Sequence, residues 1–200
     1  MLFRSGKLNF SSNTNVYLAP GAVLKGTDNY NASQYLYAYG KQNVRIAGLG
    51  TIDINGNATG NQPTKGHGFD MESSSYVTLD DVIFRNSNSW MLHIRRSDQV
   101  QIKNVKVFSG KDGIDPDGAR DVLIDRAVIQ SVDDAFAVKS KFSGRSCERV
   151  TMRDCIAFSC ASSLKLGTEN YYGVVKDITW DNCDAVDSDR GCILYTKASE

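Results

Sequence analysis

The sequence predicts an all-β chain wound as a right-handed parallel β-helix of about seven coils, and three observations carry that prediction. A template recurs along the 200 residues: an aliphatic residue, any residue, an apolar residue, a polar pair and a second short apolar run. Within each copy the residues alternate with period two and are rich in Val, Ile and Thr, which is the pattern of strands. No copy contains a helical stretch long enough for a βαβ crossover, so a solenoid of short strands is the architecture that accommodates them.

In chain order the copies begin at Val16 (VYLAPGAV), Val44 (VRIAG), Val77 (VTLDDVIF), Val100 (VQIKNVKV), Val122 (VLIDRAVI), Val150 (VTMRDCIAF) and Ile178 (ITWDNCDAV). Their spacings are 28, 33, 23, 22, 28 and 28 residues, as expected when loops of different length interrupt a regular turn. The Leu-x-x-Leu-x-Leu frame of a leucine-rich solenoid is absent. Val77, Val100, Val122, Val150 and Ile178 are therefore expected in one inward stack. A second strand follows each first one, around Leu92, Ile114, Phe136, Leu164 and Leu194. Equivalent residues of successive coils stack about 4.8 Å apart, so sequence offsets translate into contacts. Two positions before these landmarks stand Trp90, Asp112, Asp134, Ser162 and, allowing for a longer last coil, a position near Arg190.

One domain over residues 1–200 follows, expected to be truncated at both ends. The opening MLFRSGKLNF lacks the apolar region of a signal peptide, and GCILYTKASE stops just after a strand-like run. With 23 basic and 23 acidic residues there is no basic footprint for nucleic acid. No stretch approaches the roughly 18 apolar residues of a membrane span. Neither partner is expected, and the chain is expected to be a monomer. Cys147, Cys155, Cys160, Cys183 and Cys192 form no C-x-x-C pair and have no nearby histidine, which argues against a zinc site built on them. Cys155 and Cys183 share a template position and should stack as buried thiols, a spacing that would also permit a disulfide.

Residues 109–140, SGKDGIDPDGARDVLIDRAVIQSVDDAFAVKS, gather carboxylates on this frame. Asp112 precedes Asp134 by 22 residues, one coil, so Asp112, Asp133 and Asp134 should cluster. Stacked like charges are costly without solvent relief, which favours a site over turn chemistry. Asp117, followed by Gly118, reads instead as a turn residue. Close carboxylates share protons, and glycoside hydrolysis needs one protonated and one ionised group. Trp90 could stack on a sugar face or simply pack. His93 lies on the strand beside the aspartates and is a candidate for the cleft. Gly66-His67-Gly68 falls two coils earlier and reads as coincidental.

The run SWMLHI…VQIKNVKV…KDGIDPDG…VLIDRAVI…VDDAFAVKS resembles the catalytic stretch of family 28 glycoside hydrolases, the polygalacturonase-like enzymes of the pectin-lyase-like β-helix superfamily. Their pattern there is Asn-Thr-Asp-Gly-x-Asp and then Asp-Asp-x-x-Ala-x-Lys. PGAVLKGT and GLGTIDINGNATG resemble that family's early coils, so the likeness covers most of the chain. It implies a secreted or periplasmic glycosidase acting on a polysaccharide or oligosaccharide, without cofactor or metal. By position it implies Asp134 as general acid and Asp112 with Asp133 as activators of water, with inversion. Trp90, His93, Asp115, Lys139, Lys165 and Tyr195 are the candidate substrate contacts.

The departures bear on the substrate. The family's Asn-Thr is here Gly110-Lys111, its Gly-His-Gly after the pair is Ala161-Ser162-Ser163, and its Arg-x-Lys meets Ile193 and Tyr195. A neutral or differently charged glycan is expected, or a uronate held by other cations such as Arg95, Lys139 or Lys165. Two alternatives stand beside the hydrolase. One is a polysaccharide lyase with Ca²⁺ on Asp112, Asp115, Asp133 and Asp134 and Lys139 or Lys165 as base. The other is a non-catalytic glycan-binding β-helix or adhesin.

Overall fold

A computed structural model of the chain describes residues 1–27, 33–56 and 66–195. The described residues form twenty-three short strands and no helix, so none of them belongs to a helix long and apolar enough to cross a membrane. The strands lie in three sheets, called here A and B, of eight strands each, and C, of seven. Every pairing is parallel, and each coil visits C, then A, then B. One coil, for example, runs Asp98–Lys103, Lys106–Ser109 and Ile114–Asp117, and the next runs Arg120–Asp125, Val128–Ser131 and Phe136–Val138. This is the right-handed parallel β-helix expected.

The inward stack forms as the repeat arithmetic requires. Val44, Val77, Val100, Val122, Val150 and Ile178 pair in one register through sheet C. The five valines are buried, whereas Ile178, on the last described coil, is half-buried. Burying each such side chain stabilises the coil stack by roughly 1.5–3 kcal/mol. Sheet B repeats the arrangement with Leu92, Ile114, Phe136 and Leu164 in line.

Two landmarks fall two residues out of place. Val16 pairs with Ile46 rather than Val44. At the other end Leu164 pairs with Cys192, while Leu194 pairs with Leu166. A slip of two leaves the same face inward, so the alternation that identifies a strand does not detect it.

The corner between sheets C and A is a column of residues in the left-handed region: Asp81, Asn104, Arg126, Asp154 and Asn182, with φ from 49° to 66°. Asn and Asp tolerate that conformation better than most residues. Here they also ladder, Asn104 donating to Asp81 Oδ1 and Asn182 to Asp154 Oδ1, both at 2.6 Å. The next residue of each corner turns inward, which places Cys155 beside Cys183 as free thiols. Burial pushes the Cys155 thiol up to about 12. The corner between sheets A and B is looser, and it carries the carboxylates.

Candidate active site

Backbone hydrogen bonds at the A-to-B corner set the coils in line. Gly68 N–H donates to Trp90 O at 2.9 Å, Met91 N–H to Asp112 O at 3.0 Å, Gly113 N–H to Asp134 O at 2.9 Å and Ala135 N–H to Ser162 O at 2.8 Å. The resulting column reads His67, Trp90, Asp112, Asp134, Ser162 and Arg190. Gly113 must lack a side chain, because a Cβ there would lie 2.6 Å from Ala135 O and 2.6 Å from Ile129 Cγ2. That close approach brings Asp112, Asp133 and Asp134 together, with an oxygen of each within 4.8 Å of the others.

Two lysines divide the charge. The buried Lys139 places Nζ 2.7 Å from Asp112 Oδ2 and 2.6 Å from Asp115 Oδ1, with Glu169 Oε2 at 3.9 Å. Burial works against this ammonium, but Asp115, Asp112 and Glu169 outweigh it and hold its pKa above the ordinary value, so it stays charged. Asp115 is fully enclosed, and burial raises its pKa, with Lys139 opposing and Asp112 adding to the rise. Lys165 Nζ lies 2.5 Å from Asp134 Oδ2. Among the described residues no ammonium or guanidinium forms an ion pair with Asp133. Burial, followed by the charges of Asp112 and Asp134, raises its pKa.

Beside the carboxylates lies a ring cluster. His67 stacks on Trp90 with centroids 5.1 Å apart, and His93 sits edge-on to both at 4.8 Å. Lys139 Nζ is 3.6 Å and Lys141 Nζ 4.2 Å from the Trp90 ring centre, favourable cation–π positions. His93 Nε2 is 3.2 Å from Asp117 Oδ2, and its Nδ1 faces Asp70 Oδ1 at 3.8 Å. Burial lowers the pKa of His93, lowers that of His67 to about 4 and raises that of Asp70 to about 6.

Of the residues singled out in the sequence, Asp112, Asp133, Asp134, Trp90, Lys139 and Lys165 meet at this site. His93, Asp115 and Lys139 are 1%, 0% and 1% exposed, with Lys139 paired to Asp115 and Asp112 and His93 set against Asp117. Tyr195 is exposed on the last coil, its N–H bonded to Leu166 O at 2.9 Å. Arg95 is already committed to Glu72 and Asp70. Asp117 is no exposed turn residue, being fully buried between His93 and Lys141, while Gly118 with φ 59° makes the turn. His67, two coils before Asp112 as expected from Gly66-His67-Gly68, stands in line with the aspartate column. Its offset of 23 residues before Trp90 was the available signal. Arg190, exposed and donating to Ser162 Oγ at 3.2 Å, is a further cation on that column.

Comparison with known proteins gives a consistent picture. The model of the family described as glycosyl hydrolases family 28 matches residues 3–200. A probable polygalacturonase of Vitis vinifera is 26% identical over 135 residues, which cover 62% of this chain and 27% of that protein. The chain therefore spans about a quarter of that relative's length. A hyperthermoactive exopolygalacturonase from Thermotoga maritima superimposes with a TM-score of 0.85 at 20% identity, over 98% of this chain and 59% of that one. A polygalacturonase from Erwinia carotovora ssp. carotovora gives 0.63 at 13% identity, over 100% of this chain and 83% of that one. At such identities the two structures establish a shared fold.

Proposed function

The chain belongs to the glycosyl hydrolases of family 28, and from that premise we propose that it supplies the carboxylate machinery for hydrolysing a glycosidic bond in a pectin-like polysaccharide. The observation that carries this reading is the group of Asp112, Asp133 and Asp134, in which the outer two hold ammonium partners and the third holds none. Hydrolysis needs a proton for the departing oxygen and a carboxylate to take one from water. Lys139 and Lys165 give Asp112 and Asp134 ion-pair partners, whereas burial, followed by the charges of Asp112 and Asp134, raises the pKa of Asp133 and favours the proton there. We therefore assign Asp133 as the acid that protonates the glycosidic oxygen, and Asp112 with Asp134 as the groups that receive the proton of the attacking water. The 22-residue stacking, the pKa separation of close carboxylates and the positional resemblance together pointed to Asp134 as the acid; its ion pair with Lys165 is our reason for assigning Asp133 instead.

Inversion is part of the proposal. Inverting carboxyl pairs are usually about 6.5–9.5 Å apart, wider than the closest oxygens here, so the anomer first formed, read by proton NMR, decides the stereochemistry. A lyase would need a neutral base, whereas Lys139 and Lys165 are both engaged by carboxylates, and against the effect of burial Asp115, Asp112 and Glu169 raise the pKa of Lys139. For the substrate, the partly exposed Lys165 and the exposed Arg190 offer cations to a uronate. A polymer of that kind is met outside the cytoplasm, so we place the protein as secreted or periplasmic.

The test is a screen of the full-length protein on polygalacturonate and on neutral polysaccharides, with product analysis. New reducing ends on polygalacturonate support the proposal. Ultraviolet-absorbing unsaturated products would mean a lyase, and glycan binding without turnover would mean an adhesin-like module.

A further inference from the structure

We propose that His67, Asp70 and His93 form a binding site for one divalent transition-metal ion of the zinc type, which pins two successive coils of sheet B together beside Trp90. His67 and Asp70 lie on the strand His67–Glu72, and His93 lies on the next coil's strand Leu92–Arg95, in register with Asp70. One ligand atom of each lies within 4.8 Å of the other two.

Two unpartnered ring nitrogens beside a carboxylate point to the ion. Nδ1 of His67, Nδ1 of His93 and Oδ1 of Asp70 are buried without a hydrogen-bond partner, and Asp70 and His93 are only 2% and 1% exposed. Buried polar atoms are rarely left in this state; Asp70 Oδ1 has an ion-pair contact with Arg95 Nε at 3.3 Å, and the two imidazole nitrogens beside it call for a shared partner. With Zn–N bonds of about 2.0–2.1 Å, two imidazoles on one tetrahedral ion have their centres roughly 5 Å apart. Those of His67 and His93 are 4.8 Å apart.

The ring orientation of His93 fits as well. His93 Nε2 lies 3.2 Å from Asp117 Oδ2, and Lys141 Nζ lies 3.4 Å from the same oxygen. With Nε2 turned to that carboxyl oxygen, Nδ1 is the ring nitrogen that faces Asp70 Oδ1, at 3.8 Å. A carboxylate behind the far nitrogen is the usual orienting partner of a metal-binding histidine. The cations facing the site are Arg95, with Nε 3.3 Å from Asp70 Oδ1, and Lys139 and Lys141 over Trp90. Glu72, Asp112 and Asp117 oppose them, and Arg95 keeps Glu72 as a partner when a metal takes Asp70. Two nitrogens and one carboxylate suit zinc and its neighbours nickel and cobalt. The proposal is independent of whether the aspartates cleave a glycan.

The test uses the full-length protein, stripped with chelator, dialysed and titrated with Zn²⁺ and Co²⁺. One equivalent should bind, and Co²⁺ should show visible bands of a nitrogen and oxygen site without a thiolate charge-transfer band. At a hundredfold excess over Kd, Zn²⁺ should raise the melting temperature by roughly 5–10 °C. His67→Gln and Asp70→Asn should each weaken binding tenfold or more, whereas Cys160→Ser and Cys192→Ser should leave it unchanged. A sulfur-to-cobalt band, no ion retained by the folded wild type, or unchanged binding in both site variants would overturn the proposal.

Discussion

Lys139 places its ammonium 2.7 Å from Asp112 Oδ2 while 2% of its side chain is exposed. A cation and a carboxylate that were each a candidate for touching substrate thus neutralise one another inside the wall of the site. Substituting Lys139→Met leaves Asp112 and the enclosed Asp115 without their counter-charge, and breaking such a buried pair costs roughly 3–5 kcal/mol. Urea unfolding should show that loss, and Asp115→Asn added to Lys139→Met should recover part of it. A Lys139→Met protein as stable as wild type would contradict the arrangement.

Each of Asp112→Asn, Asp133→Asn and Asp134→Asn should lower turnover on the natural glycan by roughly 10²–10⁴, with an unchanged circular dichroism spectrum. The acid is distinguished by its leaving group. An aryl glycoside that departs without protonation should restore much of the rate to Asp133→Asn and little to the other two. Rescue of Asp134→Asn instead would return the acid to Asp134.

The raised pKa of Asp133 also has a sign in stability. A carboxyl raised by folding contributes stability that is present below its unfolded pKa of about 3.9 and lost as pH rises through the folded value. Asp133→Asn should therefore unfold at higher urea than wild type at pH 7, an advantage that vanishes below about pH 3.9. In the wild type, kcat/KM should fall as pH rises past the same group. A variant that unfolds at lower urea than wild type at pH 7 would count against the shift.

Asp117 accepts from the Lys141 backbone N–H at 3.1 Å and lies against His93 and the Lys141 ammonium. Asp117→Ala strands all three, and the desolvation cost of an unmet buried partner is roughly 1–3 kcal/mol. Thermal or urea unfolding measures it, and a silent Asp117→Ala would restore the simple turn reading.

Gly113→Ala tests the spacing of the coils. The added methyl meets Ala135 O and Ile129 Cγ2 at 2.6 Å, and overpacking of this kind costs about 1–3 kcal/mol. Because the strain falls between Asp112 and Asp134, kcat should drop more than stability alone explains, measured below the melting transition.

What the sequence by itself determined is position along the solenoid axis. One coil rises by a single inter-strand spacing, so offsets of 22, 23 and 28 residues were enough to stack Val77 through Ile178 and to set Asp112 over Asp134. At Val16 and Leu194 even this failed by two residues, because the period-two pattern is blind to a slip of two. Tertiary structure alone decided what lies across the axis. Whether Lys139, Asp115 and His93 face a glycan or are buried depends on what covers the outer face of sheet B, including the segment of Glu169 and Asn170, which bonds Ser140 through Glu169 O and Asn170 Oδ1. Which lysine neutralises which aspartate depends on side chains of neighbouring coils meeting over that face. Those contacts are set by packing in three dimensions, and no linear period encodes them.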